Sequence, residues 1–190
     1  MKILIVTHGR AGSTSLQYAL SDVLNIEKII EPFNTDLWEN SFKSEPNYKG
    51  VEIPNNSIFK VIIGQDDDWI LDKIYDFDKV IILMRDNLKD TIISSQNALK
   101  YGYLDNYLPT EKITSEQITY VTSNYNKLVN FNNVLDTINF KNKKIIWYNE
   151  IFSDYHSSFE VLRSFISLKV EQFDEMWDNY LNPKYRLNNG

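Results

Sequence analysis

Residues 2–15 read KILIVTHGRAGSTS, and this stretch decides the fold class. Lys2–Thr7 is a short, mostly β-branched apolar run, which is typical of a strand buried on both faces of a parallel sheet. Gly9 and Gly12 interrupt the run, and Ser13–Ser15 supplies hydroxyl groups that are able to cap a helix. Leucines then recur at helical spacing, at Leu16, Leu20 and Leu24. The sequence therefore predicts a strand, a glycine-containing loop and a helix.

The remainder of the chain alternates between strand and helix patterns. Apolar runs of strand length occur at 58–64, 79–84 and 144–148, and a shorter one ends before Glu31. Helical patterns lie between and after these runs, and the longest extends from Ser115 to Thr137. This alternation predicts an α/β fold with a mostly parallel central sheet flanked by helices. Since we find neither an internal repeat nor a linker, we expect residues 1–190 to form a single domain.

Composition and charge exclude several classes of protein. Hydrophobic residues make up 43% and charged residues 24% of the 190 positions, which favours a globular chain over a disordered one. The formal net charge of -6 argues against nucleic-acid binding, because phosphate backbones require a basic surface. No segment approaches the roughly 20 apolar residues that span a bilayer, and the first apolar run is too short for a signal peptide. Together with the absence of cysteine, this predicts a cytoplasmic protein without membrane contact.

The loop His8–Ser15 has the composition of an anion-binding site. Ligands of open α/β sheets bind at the carboxyl ends of strands, where a helix N-terminus offers amide N–H groups and a positive dipole end. Arg10 and three hydroxyl side chains add further groups suited to phosphate oxygens. The loop is not a Walker A sequence, because no Gly-Lys-Ser/Thr is present, and it is not Gly-x-Gly-x-x-Gly. The alternative is an ordinary strand-to-helix turn with a Ser/Thr cap.

The loop resembles the 5′-phosphosulfate loop of the sulfotransferases, which usually reads Pro-Lys/Arg-Ser-Gly-Thr/Ser-Thr/Ser. The loop cation stands at Arg10, and the chain departs from the pattern by a glycine for proline and an alanine for serine. The resemblance implies that these residues bind the donor's 5′ end: Gly9, Arg10, Ala11, Gly12, Ser13, Thr14 and Ser15.

A second sulfotransferase signature follows the 79–84 run. In the family, a strand ends in an arginine that holds the donor's 3′-phosphate, and an acidic residue and a helix-borne serine follow. Arg85, Asp90 and Ser94 stand at these positions, although the turn is one residue longer than usual, so Ser95 is also possible. Arginine is scarce here, with four against sixteen lysines, and two of the four fall within the two phosphate signatures.

Two structural signatures of the same family occur near the carboxyl terminus. Residues 147–152 resemble its late strand with a Tyr-Glu-Asp-Leu type sequence, and residues 165–168 resemble its Phe-Leu-Gly-Leu stretch. The resemblance thus covers nearly the whole chain and implies a P-loop-like fold. It also implies 3′-phosphoadenosine 5′-phosphosulfate (PAPS) as donor, without a metal, and a hydroxyl or amine on a small molecule or carbohydrate as acceptor.

The resemblance implies that Arg10, with the amides of residues 12–14, stabilises the leaving group. Three further residues are candidates for the general base or another catalytic role. Glu31 is the first, because Glu31-Pro32 resembles the Glu-Pro element of carbohydrate sulfotransferases. His8 lies at the mouth of the loop with a side chain suited to proton transfer, and Lys60 lies in a strand where relatives keep a lysine or histidine. Each also has a purely structural interpretation.

Other interpretations stay open. A P-loop nucleotide-dependent kinase would need magnesium and ATP, and a non-catalytic nucleotide-binding protein would keep the pocket without turnover. Segments 34–56 and 102–114 are predicted to shape the acceptor site. Lys184 and Arg186 either close over the donor or belong to a frayed terminus.

Overall fold

The computed structural model describes residues 1–30, 32, 53–101 and 112–182. Within these ranges, five parallel strands form one sheet in the order β2-β3-β1-β4-β5. The strands are β1 (Lys2–Thr7), β2 (Glu27–Ile30), β3 (Ser57–Ile62), β4 (Lys79–Met84) and β5 (Lys143–Trp147).

Helices lie on both faces of this sheet, which confirms the predicted α/β architecture. They are α1 (Ser13–Leu24), α2 (Asp67–Lys73), α3 (Leu88–Tyr101), α4 (Ser115–Thr137), α5 (Tyr148–Phe152), α6 (Tyr155–Ile166) and α7 (Val170–Met176). A 3₁₀ turn follows α2 at Ile74–Asp76, and a π-helical turn follows α7 at Trp177–Leu181.

Strand β1 is the centre of the core. Leu4 and Val6 point to one face, where they join the core cluster that includes Leu128 of α4. Ile3 and Ile5 point to the other face and join the cluster that includes Leu16 of α1 and the carboxyl-terminal helices. Because both faces are covered, the strand is a continuous apolar run rather than an alternating one.

The ends of the central strands are level with one another. Thr7, the last residue of β1, is paired with Ile62 of β3 on one side and with Leu83 of β4 on the other. The segments that follow these three strands therefore begin at the same edge of the sheet, where ligands of open α/β proteins bind.

Several local predictions are corrected by the structure. Strand β3 ends at Ile62 rather than at 64, because Gly64 takes a left-handed φ of 92° and turns the chain. Strand β5 ends at Trp147, and Tyr148 begins the helix α5, whose 5 residues are too few to carry a periodic signal. No helix of the described residues is both long enough and apolar enough to cross a lipid bilayer.

Candidate anion-binding site

Two arginines meet where β1 and β4 end. Thr7 joins the two strand ends, because its Oγ1 donates a hydrogen bond to the carbonyl oxygen of Leu83 at 3.0 Å. Arg10 lies in the loop after β1, and Arg85 directly follows β4. Arg85 Nη1 donates to the backbone carbonyl of Arg10 at 3.2 Å. The two predicted phosphate-binding segments are therefore in direct contact.

Ser94 belongs to the same group of side chains. Its Oγ accepts a hydrogen bond from Arg10 Nε at 3.0 Å, which connects α3 to the loop. The hydroxyl of Ser95 instead donates to the backbone carbonyl of Thr91 at 3.0 Å, one turn earlier in the same helix. Of the two serines at this turn, Ser94 is the one that faces the loop.

The N-terminus of α1 is not covered by a capping side chain. The residue at the N-cap is Gly12, with φ 78°, so the predicted cap by Ser13–Ser15 is wrong. Helices α2, α4 and α6 each carry a capping side chain, from Asp66, Thr114 and Asp154 respectively, whereas the short helices α5 and α7 resemble α1 in having none. A helix start without such a side chain leaves its first amide N–H groups without a side-chain acceptor, which is the arrangement that suits an anion.

Gly12 is also required by close packing. A Cβ atom at this position would lie 2.4 Å from Phe152 Cε2 and 3.2 Å from Tyr148 Cε2. The rings of Tyr148 and Phe152 are 4.7 Å apart and form one aromatic pair on α5. The loop after β1 therefore rests directly on α5, at a distance that admits only a glycine.

The same aromatic pair supports Arg85. The guanidinium carbon of Arg85 lies 4.3 Å from the centre of the Tyr148 ring, in a cation–π contact. Asp90 approaches the other end of the guanidinium, with Oδ2 3.7 Å from Nη2. The Arg85 side chain is 7% exposed and that of Asp90 is 42% exposed, so water screens the carboxylate end of this ion pair. Arg85 is thus held by a ring, a carboxylate and the loop.

His8 is buried and uses both ring nitrogens. The residue is 1% exposed. Its Nε2 accepts a hydrogen bond from the backbone N–H of Arg85 at 2.9 Å, and its Nδ1 lies 3.1 Å from the carbonyl oxygen of Gly9. This pattern requires a neutral ring that carries its proton on Nδ1. Burial is the main reason that the pKa of His8 is lowered below its ordinary value.

Lys60 brings a third cation to the loop from β3. Its Nζ donates to Thr14 Oγ1 at 2.9 Å, and the residue is 3% exposed. A lysine in the middle of a buried parallel strand is unusual, because an ammonium group loses its hydration there. The contact therefore adds positive charge to the start of α1, close to the uncapped amides.

Some predicted site residues lie outside the described part of the chain. These are Glu31, Lys184 and Arg186, together with most of the predicted acceptor segments 34–56 and 102–114. Glu31 directly follows Ile30 in sequence, and Ile30 is the register partner of Lys60. The catalytic assignment of Glu31 remains a prediction.

Two further observations concern a surface recess away from the arginines and possible metal ligands among the described residues. A recess of about 550 Å³ runs along the outward face of α4, and its lining includes none of the predicted site residues. Within the described ranges, no group of three or more histidine or acidic side chains is placed to hold a metal ion.

Sequence reasoning missed the roles of Tyr148 and Phe152. In the sequence the segment 147–152 is a structural signature only, yet in the structure both of its rings approach Gly12 and the Tyr148 ring contacts Arg85. No pattern in the sequence indicates this, because the contact joins residues more than 60 positions apart along the chain.

Comparison with solved structures gives the same fold. The mouse sulfotransferase SULT7A1 complexed with PAP superposes with a TM-score of 0.61 at 15% sequence identity, over 94% of this chain and 64% of that one. Retinol dehydratase in complex with androsterone and the inactive cofactor PAP gives 0.59 at 14% identity, over 93% and 63%. The chain thus has the sulfotransferase fold and spans less than two thirds of either structure. No family model and no curated protein matches it.

Proposed function

We propose that this chain is a sulfotransferase that binds PAPS and transfers its sulfuryl group to a hydroxyl or amine. The observation that carries the proposal is the convergence of the two phosphate signatures at one edge of the sheet, through Arg10, Arg85 and Ser94. A nucleotide with phosphates on both its 3′ and 5′ positions needs two cation sites close together. The likeness in fold to two PAP-bound structures supports the same ligand.

Each end of the donor has a set of matching groups. The amides at the start of α1 suit the 5′-phosphosulfate, and Lys60 beside Thr14 adds positive charge there. Arg85 and Ser94 suit the 3′-phosphate, because arginine binds phosphate oxygens through its planar fork and a serine hydroxyl adds another donor. Arg10 lies between the two sets, since its backbone contacts Arg85 and its side chain contacts Ser94.

The proposed reaction is a direct displacement at sulfur. The acceptor oxygen or nitrogen forms a bond to sulfur while the bond between sulfur and the 5′-phosphate oxygen breaks, and PAP leaves with the electron pair. Negative charge grows on the leaving phosphate, where the cations and amides of the loop stabilise it. The acceptor's proton passes to a general base.

Glu31 is the base that we propose. A carboxylate is able to accept the proton directly, whereas the buried nitrogen acceptor of His8 is already bonded to the Arg85 backbone. Lys60 acts as a donor to Thr14 and supplies charge rather than accepting a proton. The Glu-Pro pair also favours a carbohydrate acceptor among the possible alcohols and amines.

The test is calorimetric titration with 3′-phosphoadenosine 5′-phosphate (PAP), AMP and ATP. Without magnesium, we expect PAP to bind and AMP to bind much more weakly, and we expect Arg85→Ala to remove most of that difference. Arg163→Ala is the matched control, because Arg163 is an exposed arginine of α6 outside the site. The PAPS-dependent modification of an acceptor panel, with Glu31→Gln as the inactive variant, then tests turnover.

The alternatives give different results in the same experiments. A kinase of the P-loop class would bind ATP with magnesium better than PAP. A non-catalytic binding protein would bind PAP with the expected preference and modify no acceptor. Equal affinity for PAP and AMP would refute the donor site itself.

A further inference from the structure

His8 is a buried titratable residue for which the proposed reaction has no use. It lies at the junction between β1 and the anion-binding loop, and its ring is enclosed by protein. The Tyr125 ring of α4 packs against it edge-on, with 6.1 Å between ring centres. Burial and, to a smaller extent, the positive charge of Arg85 lower the pKa of the ring. Such an enclosed position is poor for proton exchange with an acceptor but suitable for a fixed hydrogen bond.

The hydrogen bond to Arg85 spans the two halves of the site. The backbone N–H of Arg85 comes directly after the last residue of β4, and His8 comes directly after the last residue of β1. Their contact at 2.9 Å joins residues 77 positions apart. It fixes the backbone of Arg85 at the point where its side chain leaves the sheet.

The contact between Nδ1 of His8 and the Gly9 carbonyl decides which ring nitrogen carries the proton. The Nδ1 of His8 lies beside the Gly9 carbonyl, so the ring donates there and keeps Nε2 as an acceptor. The imidazole therefore connects the loop backbone to the Arg85 backbone through a single rigid ring.

We propose that His8 is a positioning residue, whose neutral ring accepts the Arg85 backbone N–H and thereby holds Arg85 in place for the donor's 3′-phosphate. The inference rests on the proposed PAPS-binding function for its ligand. The contact itself does not depend on that function. Loss of the acceptor leaves a buried N–H without its partner, which shifts the start of the β4-to-α3 turn. The expected consequence is a larger loss of affinity at the 3′-phosphate than at the 5′ end.

The ring state is tested first by nitrogen NMR. The chain has two histidines, so ¹⁵N-histidine labelling gives two ring signals, and His156→Gln assigns them. At about pH 7.5, where an unperturbed histidine is mostly neutral, we expect His8 to carry its proton on Nδ1 with Nε2 as acceptor. A proton on Nε2, or a doubly protonated ring, overturns the inference whatever the protein binds.

The binding test compares two replacements of His8. His8→Gln keeps an acceptor at the distance of Nε2, whereas His8→Phe keeps a ring and removes the acceptor. His8→Phe removes both ring hydrogen bonds, and we expect it to lower the ratio of PAP to AMP affinity about tenfold. We expect His8→Gln, which keeps the acceptor for the Arg85 backbone, to restore most of that ratio. His156→Phe, on the exposed side of α6, is the control for the substitution itself.

The outcomes separate this inference from the proposed function. A wild-type protein without preference for PAP over AMP refutes the donor site and, with it, the role of His8. A wild-type preference that His8→Phe leaves unchanged refutes the role of His8 alone. An equal loss of PAP and AMP affinity shows a general structural role and also overturns the inference. Thermal melting of each variant, measured beforehand, identifies any that fails to fold, and the NMR result then decides.

Discussion

Replacing Gly12 by alanine tests the packing that holds the loop against α5. The backbone at Gly12 has φ 78°, a left-handed conformation that strains any residue with a Cβ by about 1–2 kcal/mol. The added Cβ would also lie 2.4 Å from Phe152 Cε2 and 2.8 Å from its Cζ, well inside van der Waals contact. Overpacking of this kind costs about 1–3 kcal/mol, because the ring and the loop must move apart.

The two costs add to a large fraction of the stability of the protein. Alanine restricts the unfolded chain and recovers roughly 0.4–1 kcal/mol, so we expect Gly12→Ala to lower the free energy of unfolding by about 2–4 kcal/mol. Domains of ordinary stability have about 5–15 kcal/mol in total. For a chain of this length, the expected loss corresponds to a fall in melting temperature of about 4–16 °C.

Urea unfolding of the wild type, Gly12→Ala and Gly9→Ala measures this loss. Gly9 is the matched control, because it lies in the same loop and a Cβ added there meets nothing within 4 Å. Phe152→Leu in the Gly12→Ala background should recover the steric part, which gives a coupling of about 1 kcal/mol or more in a double-mutant cycle. Equal destabilisation by Gly9→Ala and Gly12→Ala, or strictly additive effects with Phe152→Leu, would refute the reasoning.

Three further predictions concern Ser94, Tyr148 and His8, each of which contacts Arg10 or Arg85. Ser94→Ala should weaken PAP binding about threefold to tenfold by calorimetry. Ser95→Ala should change it less than twofold, because the Ser95 hydroxyl is bonded within its own helix. A larger effect at Ser95 than at Ser94 contradicts the assignment. Tyr148→Leu should remove the ring beneath Arg85 and weaken PAP binding by about 1 kcal/mol, with little change for AMP, and equal losses for both ligands would contradict the role of the ring. Because burial lowers the pKa of His8 in the folded protein, the unfolded chain binds its proton first as pH falls below the ordinary value of about 6.5. His8 therefore contributes stability above that pH, and this contribution is lost as pH falls toward its folded pKa. In this pH window, the urea midpoint of the wild type should fall relative to that of His8→Gln. Parallel profiles of urea midpoint against pH for the two proteins would contradict the prediction.

Much of the fold follows from local patterns. The β1 run, the α1 leucines and the long α4 helix lie where the sequence predicts them, because each is set by neighbouring residues and by which faces are apolar. The predicted helix cap was wrong for a tertiary reason. Three hydroxyl residues in a row favour a cap, yet the glycine before them takes the N-cap position, where α5 leaves no room for a side chain.

The sequence by itself determined the α/β class, and from its residues and its resemblance to the sulfotransferases it predicts an anion site in the loop after β1 with Arg85 as partner. The fold class follows from residue type and position along the chain, since strand ends and glycine turns are short-range features. Only the tertiary structure decided that Ser94 faces the loop, that Tyr148 lies under Arg85 and that His8 holds the Arg85 backbone. Each of these is a contact between residues 63 to 84 positions apart, whose side-chain directions are fixed only when the sheet and both layers of helices have packed.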